Sequence, residues 1–272
     1  MKHCIILMSA LLGSVALYAD NCANYIRYQV GEVPIVLTSP HGASKQKLLL
    51  GVPPRQGVKV QRFVNRADQY TDEIAWLIND ELKRYGLKPY MVVADIHRSQ
   101  IDFNRAYKNA YESSKAKACY EKYHHKIKDS IAFVKKQWGD GFLLDIHGQS
   151  KYDVDILRGT RNGQTIRRLT VRYGKDVTEE ENGFFFLLRQ QGYAVWPKPL
   201  QKEKYYYGGF TLLSYGSHND KGLDALQIEI GRQIRIDNNQ RQQLAKDIAQ
   251  AVRSFYLQYY FSPSPPSSVV TK

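Results

Sequence analysis

Acidic residues are in short supply. The 272-residue chain has 26 Asp plus Glu against 39 Lys plus Arg, a formal charge of +13. That imbalance favours anionic surroundings, whether a polymer, a membrane surface or an acidic substrate, and says nothing about fold. Cysteine is scarcer still, with three residues, and neither Cys-x-x-Cys nor His-Glu-x-x-His occurs. A compact zinc motif is therefore excluded. Past the N-terminus no uninterrupted apolar run is long enough to cross a bilayer. There is no internal repeat, and no helix-turn-helix, zinc finger or RNA-binding signature accompanies the positive charge. The basic stretch Lys115 to Lys136 is spread over a helical segment and reads as a solvated face.

What is present is an ordinary globular balance, 43% hydrophobic and 24% charged in 31.3 kDa. That excludes disorder, collagen or a coiled coil as the main state and suffices for one large domain. Residues 1–19 open with Lys2 and His3 and continue through an apolar stretch from Cys4 to Leu17. They read as a secretory signal peptide ending at Ala19, which places the mature protein in a secreted or periplasmic location. Cys22 follows Asn21 rather than a small residue, against a lipid anchor. Loss of Cys4 leaves Cys22 and Cys119, either as a disulfide in an oxidising compartment or as two buried thiols. Residues 262–272 (SPSPPSSVVTK) read as a disordered tail, so the folded domain is expected over 22–261.

Within it, short apolar runs alternate with amphipathic ones. Strands are expected at 34–37, 90–94, 141–146, 154–157, 193–196 and 225–230, and helices at 68–85, 113–138, 178–191 and 238–260. This order predicts a single α/β domain. Its central sheet is mostly parallel or mixed with helices on both faces, a phosphorylase/hydrolase-like architecture. Ligands in such sheets bind at strand ends.

Polar residues follow or close three of the apolar strands. They are Ser39-Pro40-His41-Gly42, Asp145-Ile146-His147-Gly148, and Glu229 within ALQIEIG. Two His and a carboxylate are a sufficient ligand set for catalytic zinc, with one position left for water. A further Glu nearby could serve as general base. Each residue alone has a bland reading as a hydrogen-bonded or salt-bridged strand-end residue, and spacing alone does not choose between the two.

The order of these motifs resembles the N-formylglutamate amidohydrolase family, within the zinc carboxypeptidase-like hydrolases. The residues that carry the resemblance are SPHG at 39–42, Asp68 in an Asp-x-x-Thr helix start, and Arg98, Asp102, Asn104 and Arg105 in RSQIDFNR. Tyr123-His124, DIHG at 145–148, RGTRNGQT at 158–165, Gly208-Gly209 with Gly216, and ALQIEIGR at 225–232 continue it. The match spans about residues 34–236.

The resemblance implies one zinc per chain, held by His41, His147 and Asp68, with Asp72 as the alternative third ligand. Asp68 would sit at the helix N-cap, where it could equally be only a cap. Glu229 would be the general base. Arg105 would bind a substrate carboxylate or the tetrahedral oxyanion, helped by Asn104 and Arg98, unless it only pairs with Asp102. Gly208 and Gly209 would let the backbone approach substrate closely. Asp145, two residues before His147 on the same strand face, would support the ligand or serve only the fold, while a solvated or packing role for His124 is as good as a catalytic one.

The family's familiar members act inside cells on a small acidic metabolite, whereas this chain reads as exported. A changed amide is therefore expected, an N-acyl amino acid or a peptide, of acidic character. No nucleic-acid partner and no membrane insertion after signal cleavage are expected. The alternatives are a metallocarboxypeptidase acting on cell-envelope peptides and a non-catalytic basic binder of envelope or matrix. The latter would work through charge and the 20 tyrosines.

Overall fold

The computed structural model describes residues 22–42, 47–57 and 63–261. The expected signal segment and C-terminal tail lie outside the described residues.

Strand burial decides the layering. Strands β2 (Ile35–Ser39), β3 (Tyr90–Ala94) and β7 (Asp224–Gly231) are buried throughout, and β4 (Phe142–Gln149) nearly so. Strands buried along their whole length need cover on both faces. With β1 (Ile26–Gln29), β5 (Ile156–Gly159) and β6 (Val195–Trp196) they form a seven-stranded sheet in the order β1-β3-β2-β4-β7-β5-β6. The central β3-β2-β4-β7 run is parallel. β1 and β5 are antiparallel to their inner neighbours, and β6 is parallel to β5.

The helices are α1 (Thr71–Arg84), α2 (Tyr107–Ala110), α3 (Lys117–Trp138), α4 (Arg167–Tyr173), α5 (Phe184–Gln190), α6 (Phe210–Tyr215), α7 (Arg232–Ile236) and α8 (Asn238–Tyr256). One sheet face packs Ile35, Leu37, Leu144, Ile146 and Ile228 against Ile74 and Ile78 of α1 and Ile248, Val252 and Phe255 of α8. The other packs Val36, Val92, Leu143 and Ala225 against Tyr123, Ile127, Ile131 and Val134 of α3. Along α3 and α8 these residues recur at three- and four-residue spacing, which puts them on one side of each helix.

The boundaries differ in instructive places. α1 was expected from Asp68, but Tyr70 precedes it with φ 68°, and the helix begins at Thr71. A left-handed residue cannot continue a right-handed helix back towards Asp68. α5 is shorter than expected because Gly183 before it is extended and the Thr178 carbonyl accepts from Phe185 N–H. α8 gives way after Tyr256 to a π-helical turn, Leu257–Phe261. β1 gave no sequence signal: only Ile26 of its four residues is buried.

Cys22 and Cys119 form a disulfide across 97 residues of sequence, joining the chain ahead of β1 to α3. Closing so long a loop restricts the unfolded chain, which is worth roughly 2–4 kcal/mol. Reduction, or Cys119→Ser, is expected to lower the unfolding free energy in urea by that amount, seen as a lower midpoint. An unchanged midpoint would contradict it.

Candidate metal centre

Because β-strand side chains alternate, Asp145 and His147 of β4 share a face with Gln227 and Glu229 of β7, to which they are directly paired in register. This is the α3 face, at the carboxyl end of the parallel strands. His41 lies just past β2, and Gly42 follows it because α1 passes so close that a Cβ there would strike Asp72. Asp68 comes from the loop before α1, pinned by its own N–H donating to the His41 carbonyl at 2.9 Å.

These pieces bring His41, Asp68 and His147 together. All three are buried, and one ligand atom from each lies within 4.8 Å of the others. Asp68 Oδ2 is 3.1 Å from His147 Nδ1 and 3.4 Å from His41 Nδ1, and it accepts from Gly148 N–H at 3.2 Å. The far nitrogen of each imidazole faces a different buried carboxylate. His41 Nε2 is 2.7 Å from Asp102 Oδ1, and His147 Nε2 is 3.0 Å from Asp145 Oδ2. An Nε2–H donating to a carboxylate leaves Nδ1 with its lone pair turned inward, which is how a ligating histidine is commonly oriented.

His41 Nδ1 is buried without a hydrogen-bond partner. A protein that strands a buried nitrogen there incurs a desolvation cost of about 1–3 kcal/mol unless something fills the position. The donor set, two imidazoles and a carboxylate around one point, fits a divalent metal.

Electrostatics around the group are strongly asymmetric. Burial opposes charge on Asp68, but the hydrogen bond with His147 and the neighbouring His41 imidazole outweigh it and hold its carboxyl well below the ordinary range. Burial likewise opposes charge on His147, yet Asp145, Asp68 and Glu229 raise it well above its ordinary value. Asp102 is buried too, and Arg98, His41 and Arg55 keep it ionised. Glu229 goes the other way: burial pushes it up to about 8. Its Oε1 accepts from Gln227 Nε2 at 3.0 Å, and Gln227 Oε1 accepts from Gly209 N–H at 3.0 Å.

Arg98 bridges the ligand group, 3.5 Å from Asp68 Oδ1 and 3.1 Å from Asp102 Oδ2. Arg105 donates from Nε to the same Asp102 oxygen at 3.1 Å, so the local pairing foreseen as the bland alternative is present. Its side chain is 26% exposed against 14% for Arg98, making it the more open of the two. The Asn104 carbonyl oxygen accepts from Thr211 N–H and hydroxyl, which turns its amide nitrogen to 3.1 Å from His147 Nε2. The close approach that Gly209 permits is to this Asn104 amide, since a Cβ on Gly209 would overlap it. Gly208, with φ 129°, holds the preceding turn in a conformation that glycine favours.

Two expectations need correction. Asp68 does not cap α1: its carboxylate takes Gly148 N–H and faces the histidines. Asp72 does not join the group; it faces Arg27 at 3.4 Å. His124 packs between Tyr120, Phe210 and Tyr215, with Nδ1 2.8 Å from the Tyr215 hydroxyl, and burial lowers its pKa to about 4. Sequence reading gave Asp102 no role at His41 and passed over Gln227 and Thr38. The Thr38 hydroxyl donates to Asp145 Oδ1 at 2.6 Å. The available signal was that Thr38 and Gln227 interrupt apolar strands with residues facing the same side as Asp145 and Glu229.

No family model matches the chain, and no curated protein matches its sequence. Solved structures do match. N-formylglutamate amidohydrolase from Ralstonia eutropha JMP134 superposes with a TM-score of 0.61 at 18% identity, over 86% of this chain and 98% of that one. A gene product of Agrobacterium tumefaciens does so with a TM-score of 0.60 at 14% identity, over 88% and 97%. The chain has the fold of N-formylglutamate amidohydrolase. The likeness extends over nearly the whole of that enzyme.

The raised pKa of His147 has a measurable consequence. Without a cation the carboxylates around His147 favour the protonated imidazole, while ligation through Nδ1 needs that proton gone; Asp68, held low, contributes none. Metal titration at pH 7 in buffers of different ionisation enthalpy should show release of about one proton or more per ion, with affinity rising with pH. A heat independent of buffer would contradict this arrangement.

Proposed function

We propose that the chain is an exported, zinc-dependent amidohydrolase acting on an N-acyl amino acid or peptide. The observation that carries this reading is the convergence of His41 Nδ1, His147 and Asp68 with Glu229 directly beside His147 in the sheet. The shared fold supports it. The disulfide supports an oxidising compartment, as does the N-terminal segment read as a signal peptide.

When bound, zinc would supply Lewis acidity, polarising the amide carbonyl and easing loss of a proton from water. The chain's own residues do the rest. Glu229 takes the proton from the attacking water and returns it to the leaving nitrogen, so one water is consumed, the C–N bond breaks, and a carboxylic acid and an amine remain. Its pKa of about 8 belongs to the site without a cation, and positive charge beside it favours the carboxylate that a base requires. Gln227 fixes the orientation of that carboxylate through Gly209. Arg98, committed to Asp68 and Asp102, holds the ligand group in shape. Arg105, more open and anchored through Nε, offers its guanidinium to the substrate carboxylate. Asn104 borders the same space.

Zinc-loaded mature protein should hydrolyse members of a panel of N-acyl amino acids and short peptides. Glu229→Gln should retain the metal while kcat falls by about 10²–10⁴-fold. A metal-replete Glu229→Gln protein with an undiminished rate would remove Glu229 from the chemistry. A metal-replete wild type inert on the whole panel would remove the amidohydrolase reading.

A further inference from the structure

The row of side chains that begins at the metal group does not end at Glu229. Across the next two strands Glu229 is paired in register with Leu157 of β5, and Leu157 with Trp196 of β6. Paired residues project from the same sheet face, so His147, Glu229, Leu157 and Trp196 stand in line across β4, β7, β5 and β6. At about 4.8 Å per strand, Trp196 lies about 14 Å from His147. Leu157 and Trp196 are also walls of a cleft of about 660 Å³, completed by Tyr152, Tyr205 and the rim lysines Lys202 and Lys204. Trp196 is 45% and Tyr205 60% exposed, large aromatic surfaces left open to water. Tyr206 stands at the junction: its ring meets Tyr152 edge-on at 5.9 Å, and its backbone carbonyl accepts from Gln227, the partner of Glu229.

The two sides of the metal group differ in kind. Arg98 and Arg105 come from the segment after β3, on one side in the strand order, and the aromatic cleft lies on the other. A substrate held with its carboxylate at the arginines and its amide at the metal group would send its acyl portion along the row towards Trp196.

Resting on the amidohydrolase reading above, we propose that this cleft is the acyl subsite and that the substrate's acyl group is large and apolar, ending in a ring-sized group. A formyl group would leave the cleft unused. The lysine rim disfavours a cationic end, which argues for a neutral acyl chain over a peptide with a free amino terminus.

The test is calorimetric binding to zinc-loaded full-length mature protein, with N-formyl-L-glutamate and N-(6-phenylhexanoyl)-L-glutamate as probes, for wild type and Trp196→Ala; the longer acyl chain can span the strands between the metal group and Trp196. Trp196 is half-exposed on the edge strand, so its removal should leave the circular dichroism and the metal group intact. Wild type should bind the phenylhexanoyl compound at least about tenfold more tightly than the formyl compound. Trp196→Ala should remove most of that preference without changing formyl affinity or zinc content. Equal affinities in wild type, no binding of the phenylhexanoyl compound, or a preference that survives Trp196→Ala would overturn the proposal. Turnover of the two compounds is scored separately. A binding preference lost in Trp196→Ala, with no hydrolysis of either compound or of the wider panel, would uphold the cleft and refute the hydrolase.

Discussion

Two buried carboxylates hold two imidazoles by their outer nitrogens, and the rest of the site depends on that arrangement. Asp102 fixes His41 and Asp145 fixes His147, so both Nδ1 atoms turn towards Asp68. A carboxylate buried this deeply is tolerable only with compensation. Asp102 obtains it from Arg98, Arg105 and Arg55, and Asp145 from the Thr38 hydroxyl. The arginines of RSQIDFNR thus share one duty at Asp102. One acid is needed to orient His41, and the arginines are needed to keep that acid ionised without water.

The fold delivers these groups to one place by strand order. β2 and β4 are adjacent, and β4 is adjacent to β7, so three successive parallel strands release His41, His147 and Glu229 at one sheet edge. The two faces of the sheet carry different duties. Leu144, Ile146 and Ile228 fill the core beneath α1 and α8, and the alternating positions Asp145, His147, Gln227 and Glu229 are left for chemistry. Sliding β7 by one residue would exchange the two sets, which ties the register of the sheet to the integrity of the site.

Much of this was legible in the sequence, for physical reasons. PIVL, GFLLDI and ALQIEIG are short apolar runs closed or interrupted by polar residues, a pattern that places side chains at a sheet rim whatever the tertiary detail. The faces of α3 and α8 followed from spacing. What was not legible depends on contacts distant in sequence. Nothing local shows that Asp102 reaches back 61 residues to His41, and an acid three residues before a helix looks like a cap whether or not it faces a histidine. The left-handed Tyr70, which detaches Asp68 from α1, has no residue signature of the kind glycine would give. Likewise the line from Glu229 to Trp196 exists because β5 inserts antiparallel beside β7, a pairing that sequence pattern does not specify.

Metal content tests the centre most directly. Elemental analysis of purified mature protein after zinc loading and exhaustive dialysis, wild type beside His41→Ala and His147→Ala, addresses it without assuming a substrate. About one zinc per wild-type chain, lost in both variants while their circular dichroism stays native, is the predicted result. Wild type that retains no metal, or variants that retain as much as wild type, would contradict the centre formed by His41, Asp68 and His147.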